Sequence, residues 1–398
     1  MRFSIATLGC KVNQYESERL REALFSLGYT EEPFGVPCEL SIINTCTVTH
    51  RSDAAGRKLL RKVLNQGRVF VTGCQAVTDP DSIRALCREV EIVAPRRLGD
   101  VFDCVLPRII KGFSGHARAF VKIQEGCNHF CTFCIVPYAR GIPLSRPAQE
   151  IIDEINGLYH AGYLEVVLTG TNIGLYAGGI STIMKKILHA TPIPRIRISS
   201  IEPWTIDDEF IEVIQSERIC RHLHLPLQSG SQRILEAMGR PYTVDYYTSL
   251  VEEIRSRYPD MAIGADILVG FPGEDEKAFQ ESLAFLKDLD LAYLHVFPYS
   301  RRLGTKAADF PFQMDAAAKR SRVEVFRSLS DAKRAAFIAA QLGSIQDVLV
   351  TRVEDTSFTG LTSHYVKVHA PGRPSPGRIV RVRMEALSGL GAKGTLHG

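Results

Sequence analysis

The sequence predicts an α/β protein in three parts: a small domain around a parallel sheet, an array of strand–helix units forming part of a barrel, and a small C-terminal β-barrel. Three observations carry this. Apolar, β-branched runs alternate with helical patterns through the first hundred residues; the alternation restarts near residue 119; and from residue 341 short strands are separated by Gly and Pro. With 398 residues, 45% of them hydrophobic, the chain can fill two or three separate cores. The expected boundaries are 1–110, 113–340 and 341–398.

In the first part, "RFSIATLG" (2–9), "LSIINTCTV" (40–48) and "VFVTGC" (69–74) read as strands, and "NQYESERLREALFSLGY" has helical spacing through Tyr15, Leu20, Ala23, Leu24 and Leu27. Ligands of parallel sheets collect beyond the carboxyl ends of the strands. Cys10, Cys46 and Cys74 each stand at or just after such an end, so three cysteines far apart in sequence can meet at one sheet edge.

The second part repeats the pattern with "AFVKIQEG" (119–126), "EVVLTG" (165–170), "IRISSIE" (196–202), "HLHLPLQSG" (222–230), "AIGADILVGFPG" (262–273) and "YLHVFPYS" (293–300). Between the first two, "PAQEIIDEINGLYHAG" opens on Pro147, closes on Gly162 and aligns Ile151, Ile152, Ile155, Leu158 and Tyr159 on one face. Six strand–helix units with right-handed crossovers wrap into a barrel or part of one, with chemistry at the strand C-termini. A helical segment runs from Met314 to Leu342, and the remainder reads as a small barrel of Gly- and Pro-bounded strands.

Charge is uneven. From Asp315 onward there are thirteen Lys or Arg against seven Asp or Glu, whereas the rest of the chain is slightly acidic. A basic end on a neutral body suits an electrostatic surface for nucleic acid, and Lys367, Arg378, Arg381 and Arg383 lie on or beside its strands. The N-terminus has no apolar signal-like region and no apolar run reaches a membrane span, so a cytoplasmic protein is expected. In a reducing compartment ten cysteines point away from disulfides and toward metal or catalysis where they cluster. Cys38, Cys87, Cys104 and Cys220 cluster with nothing and read as core filler.

The densest cluster is "GCNHFCTFCIVPYARG" (126–141), with Cys127, Cys131 and Cys134 at C-x3-C-x2-C spacing. Three thiolates hold three irons of a four-iron cluster and leave the fourth open to an exchangeable ligand. A Cys3His zinc site recruiting His129 is the alternative, in a tight geometry for tetrahedral closure.

This spacing, with an aromatic directly before Cys134, resembles the signature of the radical S-adenosylmethionine superfamily, whose partial (β/α)6 barrel matches the six units. The resemblance implies that S-adenosylmethionine chelates the open iron and is cleaved to a 5′-deoxyadenosyl radical. With "TLGCKVNQYES", "NTCTVT" and "VTGCQA" added, the chain resembles the methylthiotransferase family, in which Cys10, Cys46 and Cys74 would bind a second [4Fe-4S] cluster in a flavodoxin-like domain. "VPYARG", "LTGTNIG", "SSIEP", "HLPLQSGS", "MGRPYT" and "DILVGFPGE" extend the likeness over nearly the whole chain, and the C-terminal barrel is similar to the RNA-binding TRAM domain. "LGCKVNQYE" is most similar to the branch acting on N6-threonylcarbamoyladenosine at tRNA position 37. The isopentenyladenosine branch and the branch modifying a ribosomal protein aspartate are the alternatives within the family, and a non-catalytic iron–sulfur carrier and an RNA-binding zinc protein those outside it.

The resemblance further implies two molecules of S-adenosylmethionine per turnover, one giving a methyl group and one a radical that removes hydrogen from adenine C2. It implies a reducing donor of the flavodoxin or ferredoxin type, a sulfur source and the tRNA anticodon loop as partners. Around S-adenosylmethionine it points to Gly170, Thr171 and Asn172, to Ser200 or Glu202 at the ribose, to Gln228 with His224 near the methionyl group or target, and to Ile267 and Val269 at adenine. One departure stands out: Leu144 precedes "SRP" where many members carry a basic residue, leaving Arg140 and Arg146 as nearby cations.

Overall fold

The computed structural model describes residues 1–101 and 106–398. In the N-terminal part, β1 (Arg2–Thr7), β2 (Thr30–Glu31), β3 (Leu40–Thr45), β4 (Arg68–Gly73) and β5 (Glu91–Ile92) form one parallel sheet in the order β2-β1-β3-β4-β5. This is the doubly wound order of flavodoxin-like folds, with its topological switch between β1 and β3. The helix Lys11–Ser26 starts at Cys10 and seats Tyr15, Leu20 and Leu24 in the interior.

The middle part holds β6 (Ala119–Glu125), β7 (Leu144–Ser145), β8 (Glu165–Gly170), β9 (Arg195–Ile198), β10 (His222–His224), β11 (Ala262–Val269) and β12 (Tyr293–Pro298). Parallel pairing runs β6-β8-β9 and β10-β11-β12, while β7 adds antiparallel to β6. A bridge between Ile196 and Ile219 joins the two sheets into a six-stranded open barrel. The expected fourth strand, 222–230, is cut to three residues, because beyond His224 the chain turns through Pro226 to Gln228, whose φ is +81°. Pro226 offers no N–H to continue a ladder.

The C-terminal part is a closed barrel of β13 (Ile345–Val353), β14 (Ser357–Thr362), β15 (Lys367–Pro371), β16 (Ile379–Ser388) and β17 (Gly391–Leu396), in the order β13-β14-β15-β17-β16. It is a five-stranded Greek-key arrangement of the oligonucleotide-binding type. The helix Ala316–Ala339 packs on β12 and delivers Ile338 into this barrel's core.

Buried ion pairs fix the parts to one another. Tyr15 donates to Glu154 Oε1 (3.0 Å), and Arg146 pairs with the same carboxylate at 2.5 Å. Arg302 bridges to Asp53 (2.5 Å) and donates to the Thr47 carbonyl. At the other end of the barrel Arg195 and Arg197 grip Glu165 (2.8 and 2.9 Å), and Arg197 also donates to the carbonyls of Thr362 and Ser363 in the C-terminal barrel. Burial would raise the Glu165 carboxyl, but the arginines outweigh it and hold it down to about 2. Cys38 and Cys220 are buried as expected, Cys87 is only half-buried, and Cys104 lies outside the described residues.

Candidate functional site

Cys10, Cys46 and Cys74 follow the carboxyl ends of β1, β3 and β4, where the doubly wound topology brings those ends together. Gly9 (φ +98°) and Gly73 (φ +91°) precede two of them in the left-handed region. A Cβ at Gly9 would lie 2.8 Å from Cys46 Cβ and 3.1 Å from its Sγ, so Cys46 packs against the turn before Cys10 only because residue 9 has no side chain. Burial pushes the Cys74 thiol up to about 11. As thiolate it needs positive charge beside it, and Arg140 supplies part: its Nε donates to Cys74 Sγ at 3.3 Å. The same guanidinium pairs with Glu16 (2.5 Å) and Glu125 (3.2 Å) and donates to Asn13. Although burial raises the Glu125 carboxyl, Lys122 and Arg140 hold it down to about 2.

Cys127, Cys131 and Cys134 lie in the loop after β6. Gly126 again takes a left-handed φ (+84°), as does Phe130 (+48°), so the loop wraps tightly enough for all three thiols to act on one another electrostatically. Burial pushes the Cys134 thiol up to about 12. Here too one buried arginine approaches a sulfur: Arg240 Nη1 donates to Cys131 Sγ at 3.5 Å. Glu202 pairs with Arg240 at 2.5 Å, and the guanidinium lies 4.6 and 5.1 Å from the rings of Trp204 and Tyr242, which stack on each other. His129 is no fourth ligand: its Nε2 bonds the Gly239 carbonyl (2.8 Å) and its ring packs on Trp204.

Both trios fit a cluster ligated by three cysteines. Each contains a thiol that burial pushes up, Cys74 in one and Cys134 in the other, each sits in a cradle that a Cβ would fill, and each has one charged donor to sulfur. A cavity of about 390 Å³ separates them. Cys46, Val48, Thr49 and Ser52 come from the N-terminal side, Phe133, Cys134, Ile135 and Val136 from the loop, and Gln228, Asp266, Leu268 and Phe297 from the barrel.

The other expected residues divide. Gly170 ends β8, and a Cβ there would press within 2.7 Å of the Gln124 carbonyl; Thr171 follows it. Asn172 N is held by Gln124 Oε1 (2.9 Å), its Nδ2 faces Cys127 Sγ (3.9 Å), and its buried Oδ1 has no partner. That acceptor beside the loop trio suits the amino group of S-adenosylmethionine. Glu202 is committed to Arg240, while Ser200 faces the barrel lumen with His222, His224 and Tyr293. Ile267 and Val269 need correction. They are fully buried in the barrel's hydrophobic core, and strand alternation turns Asp266 and Leu268 to the cavity instead. Arg146 is likewise sealed against Glu154 and the carbonyls of Lys122 and Arg108, and Arg140 against carboxylates, so neither is free for phosphate. Leu144 is 60% exposed.

Arg381 and Arg383 project from β16 and Lys367 from β15, with Arg378 just before β16. Lys367, Arg378, Arg381 and Arg383 are all exposed, and exposed Lys393 on the intervening β17 extends the basic face. The sequence reading missed Lys393, Arg240 and Asp266. The last had a signal: it is the one charged residue in the apolar run "AIGADILVGFPG".

Comparison with known proteins agrees with this geometry. Residues 121–286 match the Radical SAM superfamily, and residues 2–95 match Uncharacterized protein family UPF0004. The threonylcarbamoyladenosine tRNA methylthiotransferase MtaB of Bacillus subtilis is 36% identical over 95% of this chain and 92% of its own length. Its namesake from Chlamydia pneumoniae is 35% identical over 99% and 98%. The tRNA-2-methylthio-N(6)-dimethylallyladenosine synthase of Erythrobacter litoralis is 31% identical over 96% and 94%. Among solved structures, the radical S-adenosylmethionine methyltransferase TsrM of Kitasatospora setae shares the fold, with a TM-score of 0.58 at 15% identity over 82% of this chain and 85% of that one. By sequence over nearly its full length, with one cysteine of each trio on a shared cavity, the chain belongs to the radical S-adenosylmethionine tRNA methylthiotransferase family.

Proposed function

We propose that the chain modifies tRNA in the cytoplasm by inserting a methylthio group at C2 of N6-threonylcarbamoyladenosine at position 37. The single observation that carries this is the shared cavity, with Cys46 on one wall and Cys134 on the other. One target atom can thus meet both centres without leaving its seat. The substrate assignment follows the relatives at 35–36% identity, named for threonylcarbamoyladenosine, over those at 31–32%, named for dimethylallyladenosine.

Two [4Fe-4S] clusters, on Cys10, Cys46 and Cys74 and on Cys127, Cys131 and Cys134, together with two molecules of S-adenosylmethionine per turnover, would supply the sulfur, the methyl group and the radical that activates C2–H. Adenine C2–H has no useful acidity near neutral pH, so an ordinary side-chain base cannot take that proton. The protein's own part is position and exclusion of water. Asn172 offers its unpartnered carbonyl beside Cys127 to an amino group, with Gly170 and Thr171 forming the turn around it. Glu202 orients Arg240 on Cys131, and Glu16 and Glu125 orient Arg140 on Cys74. Val48, Phe133, Leu268 and Phe297 make much of the cavity wall apolar. Lys367, Arg378, Arg381 and Arg383 would hold phosphates while an unpaired loop base enters. Electrons come from a donor of the flavodoxin or ferredoxin type.

Nucleoside mass spectrometry of tRNA from a strain lacking the gene tests this. Loss of the 2-methylthio form of threonylcarbamoyladenosine is expected. Loss of the isopentenyl counterpart instead, or no change in tRNA, would overturn the assignment.

A further inference from the structure

The cavity between the trios has a polar floor that neither trio uses. Asp266 projects into it from β11, and one carboxylate oxygen is pinned from behind: Oδ1 accepts from His224 Nε2 at 2.8 Å and lies 3.5 Å from His295 Nδ1. His224 is itself fixed, its Nδ1 lying 3.1 Å from the Tyr293 hydroxyl, which also bonds His222 Nε2 at 2.7 Å. The carboxylate therefore has one orientation. Its second oxygen, Oδ2, is hydrogen-bonded by none of the described residues.

Beside it stands Gln228. Its left-handed backbone (φ +81°) is held by two hydrogen bonds, from its own N–H to the Asp266 carbonyl (2.7 Å) and from Leu268 N to its carbonyl (2.9 Å). A non-glycine residue in this region is strained and persists where the surroundings over-determine it. The conformation ties Gln228 to Asp266, and both side chains reach the same cavity. No described residue hydrogen-bonds the Gln228 side-chain amide. The floor thus presents one fixed anionic acceptor and one amide with both a donor and an acceptor.

We propose that Asp266 and Gln228 bind the N6–H and N7 edge of the target adenine, an inference that rests on the function proposed above. Asp266 accepts from N6–H, and the Gln228 amide donates to N7. This edge lies across the purine from C2, so gripping it turns C2 toward the two trios. A glutamine is a suitable partner for the N6 and N7 positions of adenine, and a flipped base is commonly read by such edge contacts. The floor also selects against an aspartate side chain as substrate. An aspartate has no N–H to give and would bring a second negative charge against Asp266. The threonyl carboxylate must then face away from Asp266, toward the cavity wall bearing Thr49, Ser52 and Ser300.

The test uses the reconstituted two-cluster enzyme and anticodon stem-loops. In Asp266→Asn the amide oxygen stays on His224, so an NH2 group faces N6–H where the acceptor was. KM for the threonylcarbamoylated stem-loop is expected to rise roughly 10- to 100-fold, with a smaller rise in Gln228→Ala. A stem-loop whose threonylcarbamoylated A37 also carries an N6-methyl group has no N6–H. The parent should lose a similar factor on it, and Asp266→Asn should lose little more. Asp266→Ala serves as a second variant, and iron and sulfide content checks that both clusters assemble.

Equal losses on both stem-loops would overturn the proposal. So would a fall in tRNA-independent 5′-deoxyadenosine formation, which would assign Asp266 to S-adenosylmethionine. His224, Asp266 and His295 also place three ligand atoms within 4.8 Å of one another, so a stoichiometric metal beyond the cluster iron, lost in Asp266→Asn, would equally overturn it. If the parent methylthiolates neither stem-loop, the proposed function fails instead.

Discussion

The two cysteine trios proposed as cluster ligands are assembled by opposite routes. The loop trio spans eight residues and owes its shape to local backbone, with left-handed turns at Gly126 and Phe130. The N-terminal trio spans 65 residues and exists only when β1, β3 and β4 pair in register. Each has one buried arginine on a sulfur, but Arg140 answers to two carboxylates and joins two domains, whereas Arg240 answers to Glu202 alone within the barrel. A local site needs its loop; a site assembled from strand ends needs the whole domain interface. The N-terminal centre should therefore be the more easily lost.

Breaking one centre at a time has the largest expected effect. Cys134→Ser should abolish both 5′-deoxyadenosine and methylthiolated product and remove about half the iron, as read by anaerobic iron assay and nucleoside analysis. Arg140→Ala comes next. It leaves Lys122 as the one cation among the described residues facing buried Glu16 and Glu125, a loss of up to about 3–5 kcal/mol, and denaturant unfolding with N-terminal cluster occupancy as a second readout should register it. Arg240→Ala should cost less, since the Glu202 side chain is 22% exposed and water can reach it.

Gly73→Ala probes the cradle rather than the ligands. At φ +91° the substitution is strained by at least about 1–3 kcal/mol, and the new Cβ would meet the Thr45 carbonyl oxygen at 2.2 Å and its amide nitrogen at 2.5 Å. Iron should fall at the N-terminal trio while the loop cluster keeps its spectrum.

Acid should leave the interfaces intact longer than ordinary carboxylates would. Glu125 and Glu165 are both held down to about 2 from the usual 4.5, so their contribution is fully present above the usual value and is lost as pH falls from about 4.5 through about 2. An unfolding series across that range checks it. The smallest effect is expected at the basic face. Arg381→Glu with Arg383→Glu should weaken tRNA binding and lower its salt slope by about one for each phosphate no longer neutralised.

Much of this was legible in the sequence because it is written locally. The C-x3-C-x2-C spacing states a loop ligand set by itself, and Cys10, Cys46 and Cys74 could be grouped because parallel strands send their carboxyl ends to one edge. What stayed hidden depends on phase and on long-range pairing. In "ADILVG" apolar residues occupy both strand faces, so periodicity could not say that Ile267 and Val269 face the core while Leu268 faces the cavity. Arg140 and Arg146 read as cations beside the "SRP" element, yet partners 124 residues away in one case and on the next helix in the other engage them. Gln228 was visible as a residue; its strained turn and its union with Asp266 were not.

If the two trios perform separable halves of one reaction over a shared cavity, removing one must leave the other's half running. The direct measurement is a variant with Cys10, Cys46 and Cys74 all replaced by Ala, reconstituted anaerobically and assayed with S-adenosylmethionine, reductant and threonylcarbamoylated tRNA. Continued formation of 5′-deoxyadenosine with no methylthiolated nucleoside is the predicted result; appearance of the methylthio product from that variant would contradict it.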